Sequence, residues 1–118
     1  MTKLNVREMF FSVPVADMDR ARQFYVGALD GSVLYESSVW SSLQIAGVRL
    51  GLNATSSDAG LHMGLHFVVY DLVAACGAVV RAGGVVLSEP TDVQSGVILA
   101  EAADTEGNVF TLSLASDG

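Results

Sequence analysis

The two histidines of His62-Met63-Gly64-Leu65-His66 come nearest in this chain to metal-binding or acid–base machinery. On a helix, an i, i+4 pair puts both imidazoles on one side, the arrangement of a zinc helix. This run lacks the Glu that follows the first His of such helices, and its composition is that of a strand, on which the two Cα atoms stand about 13 Å apart, too far to share one ion. For His66 two readings stay open: a neutral hydrogen-bonding group on a cleft floor, or a core histidine with satisfied nitrogens. Ser12 occupies the equivalent place in an earlier copy of the same phrase and could face His66, but a nucleophilic triad needs a carboxylate to orient the imidazole, and the sequence places none. Glu36 and Glu101 are candidate acid or base groups if their side chains turn inward; otherwise they are solvated strand ends. The single cysteine, Cys76, lies in an Ala-rich helical stretch that suits a small buried hydrophobe better than a nucleophile, and it leaves no partner for an intrachain disulfide.

The elements that position these residues follow from a phrase written twice. Phe10-Phe11-Ser12-Val13-Pro14-Val15-Ala16-Asp17-Met18 returns as Gly64-Leu65-His66-Phe67-Val68-Val69-Tyr70-Asp71-Leu72, with Asp17 and Asp71 54 positions apart. Each copy is a short β-prone run closed by an acidic residue and followed by an Ala-rich stretch, so each predicts a strand running into an N-capped helix. The first half reads as a strand from Met9 to Val15, a helix to about Ala28 and strands over Ser32–Ser37, Val39–Ala46 and Val48–Ala54. Residues 55–60 form a polar linker. The second half reads as a strand over His62–Tyr70, a helix over Leu72–Ala82 stopped by Gly83-Gly84, and strands over Val85–Ser88, Gly96–Ala103 and Asn108–Ala115. Glu89-Pro90 and Gln94-Ser95-Gly96 punctuate the strands, and residues 105–108 form a tight turn. The chain is therefore one α+β domain over 1–118, βαβββ twice, with module one at about 9–54 and module two at about 61–115.

Composition bounds the partners. With 118 residues and 51% hydrophobic side chains the chain can build a single core. A net charge of −7 with six Lys and Arg argues against nucleic acid or an anionic membrane surface, which need clustered cations. No apolar run is long enough to span a bilayer, and the stretch holding Lys3 and Arg7 is followed by a run broken by Ser12, Pro14 and Asp17, so a cytoplasmic location is expected.

Alternation assigns the strand faces. Phe11, Val13, Val15, Leu43, Ile45, Leu50, Leu52, Leu65, Phe67, Val69, Phe110, Leu112 and Leu114 form an aliphatic and aromatic side for the helices. The opposite side carries Phe10, Ser12, Trp40, Ser42, Gln44, Arg49, Gly51 and Asn53 in the first half, and His62, Gly64, His66, Val109, Thr111 and Ser113 in the second. This mixed side lines a cleft in one reading and simply meets water in the other.

These residues resemble the vicinal-oxygen-chelate superfamily of glyoxalases, extradiol dioxygenases and bleomycin-resistance-type binding proteins, from about Met9 to Leu114. The resemblance is carried by Asp17-Met18 with Phe24-Tyr25 after it, by Asp71-Leu72, and by Asp104-Thr105-Glu106-Gly107-Asn108-Val109-Phe110. It implies two βαβββ modules whose mixed sheet curls into a cup with helices on the outer face, a cup completed in a homodimer and, in the enzymes, a divalent metal at its centre. It also implies metal ligands at the positions held here by Phe10, Gly51, Gly64 and Thr111. None is a ligand of the required kind, since Phe offers no lone pair, Gly no side chain and Thr only a neutral hydroxyl. Neither a metal nor another cofactor is therefore expected.

The function expected from residues and resemblance together is a metal-free protein that binds a hydrophobic or aromatic natural product, as a resistance or carrier protein. Phe10, Trp40 and Tyr35 would stack on the ligand; Ser12, Gln44, Asn53, His62, His66 and Thr111 would orient it. The acidic surplus favours a cationic ligand, with a planar neutral polyketide as the other choice. Two rival readings are a lyase, isomerase or ring-opening enzyme using His66 with Glu36 or Glu101, and an interaction subunit that binds no small molecule.

Overall fold

The structure, a computed structural model, describes residues 5, 7–55, 62–94 and 96–115. Its elements are β1 (Phe11–Val15), α1 (Met18–Leu29), β2 (Ser32–Glu36), β3 (Trp40–Ile45), β4 (Val48–Ala54), β5 (His62–Val69), α2 (Leu72–Arg81), β6 (Val85–Gln94), β7 (Val97–Ala103) and β8 (Val109–Leu114). Among the described residues, no helix is long and apolar enough to cross a membrane.

Both halves are built alike. Each first strand stops at an aspartate whose carboxylate takes a backbone N–H in the first helical turn: Asp17 accepts from Arg20 and Asp71 from Ala74, each at 3.0 Å. Each helix returns the chain so that the first strand pairs in parallel with the last strand of its own module, β1 with β4 and β5 with β8. The strand orders, β1-β4-β3-β2 and β5-β8-β7-β6, are the same. The α+β fold of two βαβββ modules thus holds, with the strands divided between two separate four-stranded sheets.

The aliphatic side of each sheet packs on the helices. Val13, Val15, Leu43, Leu52, Val79, Ala102 and Leu112 are fully buried in one cluster that also holds Ala21, Phe24 and Tyr25 of α1 and Cys76 of α2. An aromatic chain crosses between the modules: Phe24 meets Tyr25 at 5.1 Å and Phe110 at 6.2 Å, and Phe110 meets Phe67 at 5.4 Å. Such pairs contribute about 0.5–1.5 kcal/mol each beyond the area they bury. Cys76 is part of this core; burial, then the charge of Glu89, pushes its thiol above the ordinary range, as a small hydrophobe and not a nucleophile.

Most boundaries fall within one residue of the sequence expectation, and two differ by more. The strand beginning at Val85 runs to Gln94, past Glu89-Pro90, because β6 is an edge strand: a proline there interrupts no inner ladder, and the register shifts between Ser88 and Thr91 absorb it. The first strand begins at Phe11, where β4 first offers a partner in Leu50.

The loop between β7 and β8 does more than turn. Asp104 accepts N–H bonds from Glu106 and Asn108, both at 2.8 Å, so its carboxylate shapes the loop from within. From that loop three polar side chains reach into module one. Asp104 takes the Tyr25 hydroxyl at 2.6 Å, Asn108 donates to the Pro14 carbonyl at 2.8 Å, and Glu106 accepts from the N–H groups of Ala16 and Asp17, each at 2.9 Å. Glu106 also accepts from Arg20 Nε at 2.8 Å and from Thr105 at 2.7 Å. Burial pushes the Glu106 carboxyl up, but Arg20, Thr105 and the two backbone donors outweigh it and hold the group at about 2. Tyr25 moves the other way: burial, then Asp104, raises its phenol well above the ordinary tyrosine range.

Candidate functional site

Side chains that point away from the helices make an open face on each sheet, and strand register fixes which residues share it. On the first sheet Ser12 lies opposite Gly51, Gly51 opposite Ser42 and Ser42 opposite Tyr35, one row across all four strands. Trp40 lies opposite Asn53, and Gln44 opposite Arg49, in the flanking rows. Six of the expected ligand-binding residues, Ser12, Tyr35, Trp40, Gln44 and Asn53 with Phe10 just before β1, therefore stand on this face.

Trp40 dominates it. Ser37 fixes the start of β3, its hydroxyl donating to the Trp40 carbonyl at 2.9 Å and accepting from the Trp40 N–H at 3.1 Å. The indole N–H donates to Ser42 Oγ at 3.0 Å, which swings the ring across the neighbouring strand. There it lies on Gly51, where a Cβ would stand 2.3 Å from a ring carbon. Only glycine admits this approach. Phe10 meets the indole edge-on at 6.1 Å, and the Arg49 guanidinium sits 4.2 Å from the centroid of Phe10. Phe10 and Tyr35 remain 40% and 58% exposed.

The second open face mixes polar side chains with Val68, Leu99 and Val109, and carries no Phe, Tyr or Trp among its described residues. His66 lies opposite Thr111, Thr111 opposite Glu101 and Glu101 opposite Ser88. His66 Nε2 is 2.8 Å from Ser113 Oγ. Between His62 and His66 the register slips: four residues of β5 span two of β8, with Gly64 at φ 71°. His62 lies on β5, and its side chain is outside the described residues.

Glu36 goes elsewhere. It lies opposite Ser41, on the helix side of the first sheet, and Arg22 of α1 binds both, at 3.0 Å to the carboxylate and 3.2 Å to the Ser41 hydroxyl. This corrects the expectation that Glu36 could act beside His66: β2 turns it toward α1, where an arginine neutralises it. Glu101 does share a row with His66. The structure also does not join the two open faces, since among the described residues no strand of one sheet pairs with a strand of the other.

The residues at the four positions where the resemblance places metal ligands do not fit a metal. Phe10 is engaged with Trp40 and Arg49, Gly64 has no side chain, Thr111 offers only a neutral hydroxyl, and the indole fills the space over Gly51 that a ligand side chain would need. Among the described residues no group of three His, Cys, Asp or Glu could hold an ion.

Sequence reasoning left three participants out of the site. Ser42 and Arg49 were legible from alternation as residues of the open face, but their contacts with Trp40 and Phe10 depend on side-chain direction. Ser113 follows Thr111 by the same period of two, and nothing in the sequence pairs it with His66.

A cavity of about 740 Å³ opens elsewhere, between the modules on their helix side, lined by Phe11, Leu29, Asp30, Ile45, Leu65 and Phe67 among others. Of the expected site residues only His66 borders it.

The model of a glyoxalase-like domain matches residues 8–113. Among solved structures, the genomically encoded fosfomycin resistance protein FosX from Listeria monocytogenes is similar at 14% identity and a TM-score of 0.79, over 97% of each chain. A glyoxalase/bleomycin resistance protein/dioxygenase family enzyme from Burkholderia phytofirmans PsJN aligns at 18% identity and 0.78, over 90% of this chain and 97% of its own. Hypothetical protein SA1046 from S. aureus aligns at 22% and 0.76, over 93% and 94%. Comparison with curated proteins finds no match.

Proposed function

We propose a function from the premise that this chain belongs to the glyoxalase-like domain family, within the vicinal-oxygen-chelate superfamily: it binds a flat, hydrophobic or aromatic small molecule on the open face of the first sheet, without a metal, and sequesters or carries it unchanged. One observation carries this reading. Trp40 lies over Gly51 and, with Phe10, turns the centre of the face into an aromatic platform at a place where a metal-binding relative would need a ligand side chain. Ser12, Tyr35, Gln44 and Asn53 edge the platform, a few polar groups around an apolar surface, as small-molecule sites are built. Resistance as the biological role is in keeping with the fosfomycin and bleomycin resistance proteins among the structural neighbours.

The reading includes a homodimer in which the aromatic face of one chain and the open face of its partner's second sheet, with His66 and Thr111, close one cleft. Supporting this, Val33, Leu34, Tyr35, Val39, Val85 and Leu87 are exposed, and the radius of gyration of 15.2 Å exceeds the roughly 13.5 Å of a compact chain of this length. Sedimentation giving only monomer, with ligand bound, would reject the dimer.

Trp40 is the only tryptophan, so its fluorescence reads the platform directly. A panel of flat aromatic compounds should include some that quench it saturably and are recovered chemically unchanged. Failure of every compound to shift either the fluorescence or Tm rejects the reading.

One observation favours an enzyme as the second reading: His66, Thr111 and Glu101 share a row of the second sheet, and His66 is bonded to Ser113. His66 would then move a proton, with Glu101 as its acid or base counterpart. Recovery of a chemically altered compound, with turnover abolished in His66→Ala and affinity retained, would establish this reading over the first.

A further inference from the structure

We infer that the ligand of the Trp40 platform is an aromatic carboxylate and that Arg49 reads its charge; this rests on the binding reading above and assigns the ligand's class. Arg49 precedes Gly51 by two positions on β4, so it shares the open face with the indole. Its guanidinium carbon lies 4.2 Å over the centroid of Phe10, and Phe10 meets Trp40 edge-on at 6.1 Å, so the cation is stacked on the ring that adjoins the indole. A flat ligand stacked on the indole would bring a substituent toward the guanidinium.

Arg49 is only partly engaged. Nη1 donates to Glu8 at 3.0 Å, whereas Nε is shut off from solvent and has no hydrogen-bond partner among the described residues. A buried donor without an acceptor is costly, and the edge formed by Nε and a terminal nitrogen matches the two oxygens of a carboxylate. Reaching that edge takes a rotation of Arg49 or of the Phe10 ring over it, and both side chains are partly exposed.

The charges nearby allow this. Glu8 is the carboxylate paired with Arg49, at an exposed position before β1. Glu36 and Asp19 are held by Arg22, Glu36 on the helix side of the sheet. Ser12, Ser42, Gln44 and Asn53, which complete the face, are neutral. The net charge of −7 belongs to the whole surface and is screened over roughly 8 Å at physiological salt, so the local guanidinium decides which ligand charge is accepted. This reverses the cationic ligand that the composition alone favours.

Calorimetric titration of the full chain with cinnamate, cinnamamide and cinnamylamine tests the assignment, since the three share a flat ring and differ in charge. Cinnamate is expected to bind about tenfold or more tighter than cinnamamide, as a charge-assisted bond to arginine allows. In Arg49→Gln the ratio of cinnamate to cinnamamide affinity should fall below about threefold, the ratio being the readout because Arg49 also packs on Phe10. Glu8→Gln, which frees the guanidinium, should tighten cinnamate by about threefold. If the amide or the amine binds wild type as tightly as the acid, or if Arg49→Gln keeps the preference, the carboxylate assignment falls and the aromatic platform stands. If none of the three binds, the platform fails as a site for simple aromatic ligands and the assignment fails with it.

Discussion

The two modules share a frame and differ on the surface that frame presents. Asp17 and Asp71 cap their helices with the same 3.0 Å bond, and the strand orders are identical, yet one open face carries Trp40, Phe10, Tyr35 and Arg49 and the other His66, Thr111, Ser113 and Glu101. The frame is set by caps and by the residues that alternate toward the helices, and both are indifferent to what points the other way. A duplicated unit can therefore hold its fold while one copy becomes an aromatic platform and the other a wall of mixed polar and aliphatic side chains.

The modules differ also in their last hairpin. Between β3 and β4 two residues turn the chain, Ala46 and Gly47, both at positive φ of 51° and 81°. Between β7 and β8 stand Asp104 to Asn108, which supply the polar contacts that bind module two to module one. The longer loop is a scaffold, and this predicts unequal sensitivity. Glu106→Ala leaves two backbone N–H groups and Arg20 without their acceptor and should cost about 3 kcal/mol in urea denaturation, whereas Gly47→Ala in the short turn should cost about 1. Equal costs would end the claim that the two hairpins do different work.

A second contrast is in tolerance of a methyl group. At Gly84 a Cβ would stand 2.5 Å from the Ala103 carbonyl oxygen and 2.7 Å from a Phe24 ring carbon, so Gly84→Ala should cost about 2–3 kcal/mol by overpacking the junction of the modules. At Gly27 of α1 a Cβ would meet nothing within 4 Å, and Gly27→Ala should stabilise by about 0.5–1 kcal/mol, read as a rise in Tm.

Acid sharpens the same point. Because the folded Glu106 carboxyl is held at about 2 against an ordinary 4.5, its contribution is complete above pH 4.5 and is lost as pH falls toward 2. Arg20 is half exposed, so solvent screening reduces the effect to about 2 kcal/mol. Stability measured across that range should drop in wild type and change less in Glu106→Gln.

The faces themselves are compared by two truncations. With an aromatic ligand in hand, Trp40→Ala should weaken binding by about 1–3 kcal/mol, and His66→Ala, if it only orients a neutral group, by about 0.5–1.5. A larger loss at His66 would move the centre of the site to the second sheet. Gly51→Ala reads the platform through its support: the indole must swing off the strand, at a stability cost near 1 kcal/mol, and the emission of Trp40 should shift.

The amino-acid sequence by itself determined the frame. The repeated phrase, the two capping aspartates and the alternation of Leu43, Ile45, Leu50 and Leu52 against Trp40, Ser42, Gln44 and Gly51 depend on local periodicity and capping, which neighbours in the chain encode. The same alternation put Trp40, Ser12, Gln44 and Asn53 on one side. What only the tertiary structure decided lies in contacts between residues far apart in the chain. Residues 105–108 read as a tight turn, and the role of Asp104, Glu106 and Asn108 emerges only where Tyr25, Pro14 and Ala16, 79 to 94 positions away, supply the partners. Glu36 could face either way until register with Ser41 and the reach of Arg22 from α1 turned it from the site. The indole over Gly51 joins two strands through a side-chain direction that no period specifies, because it is set by the Ser42 hydroxyl and by the space a missing Cβ leaves.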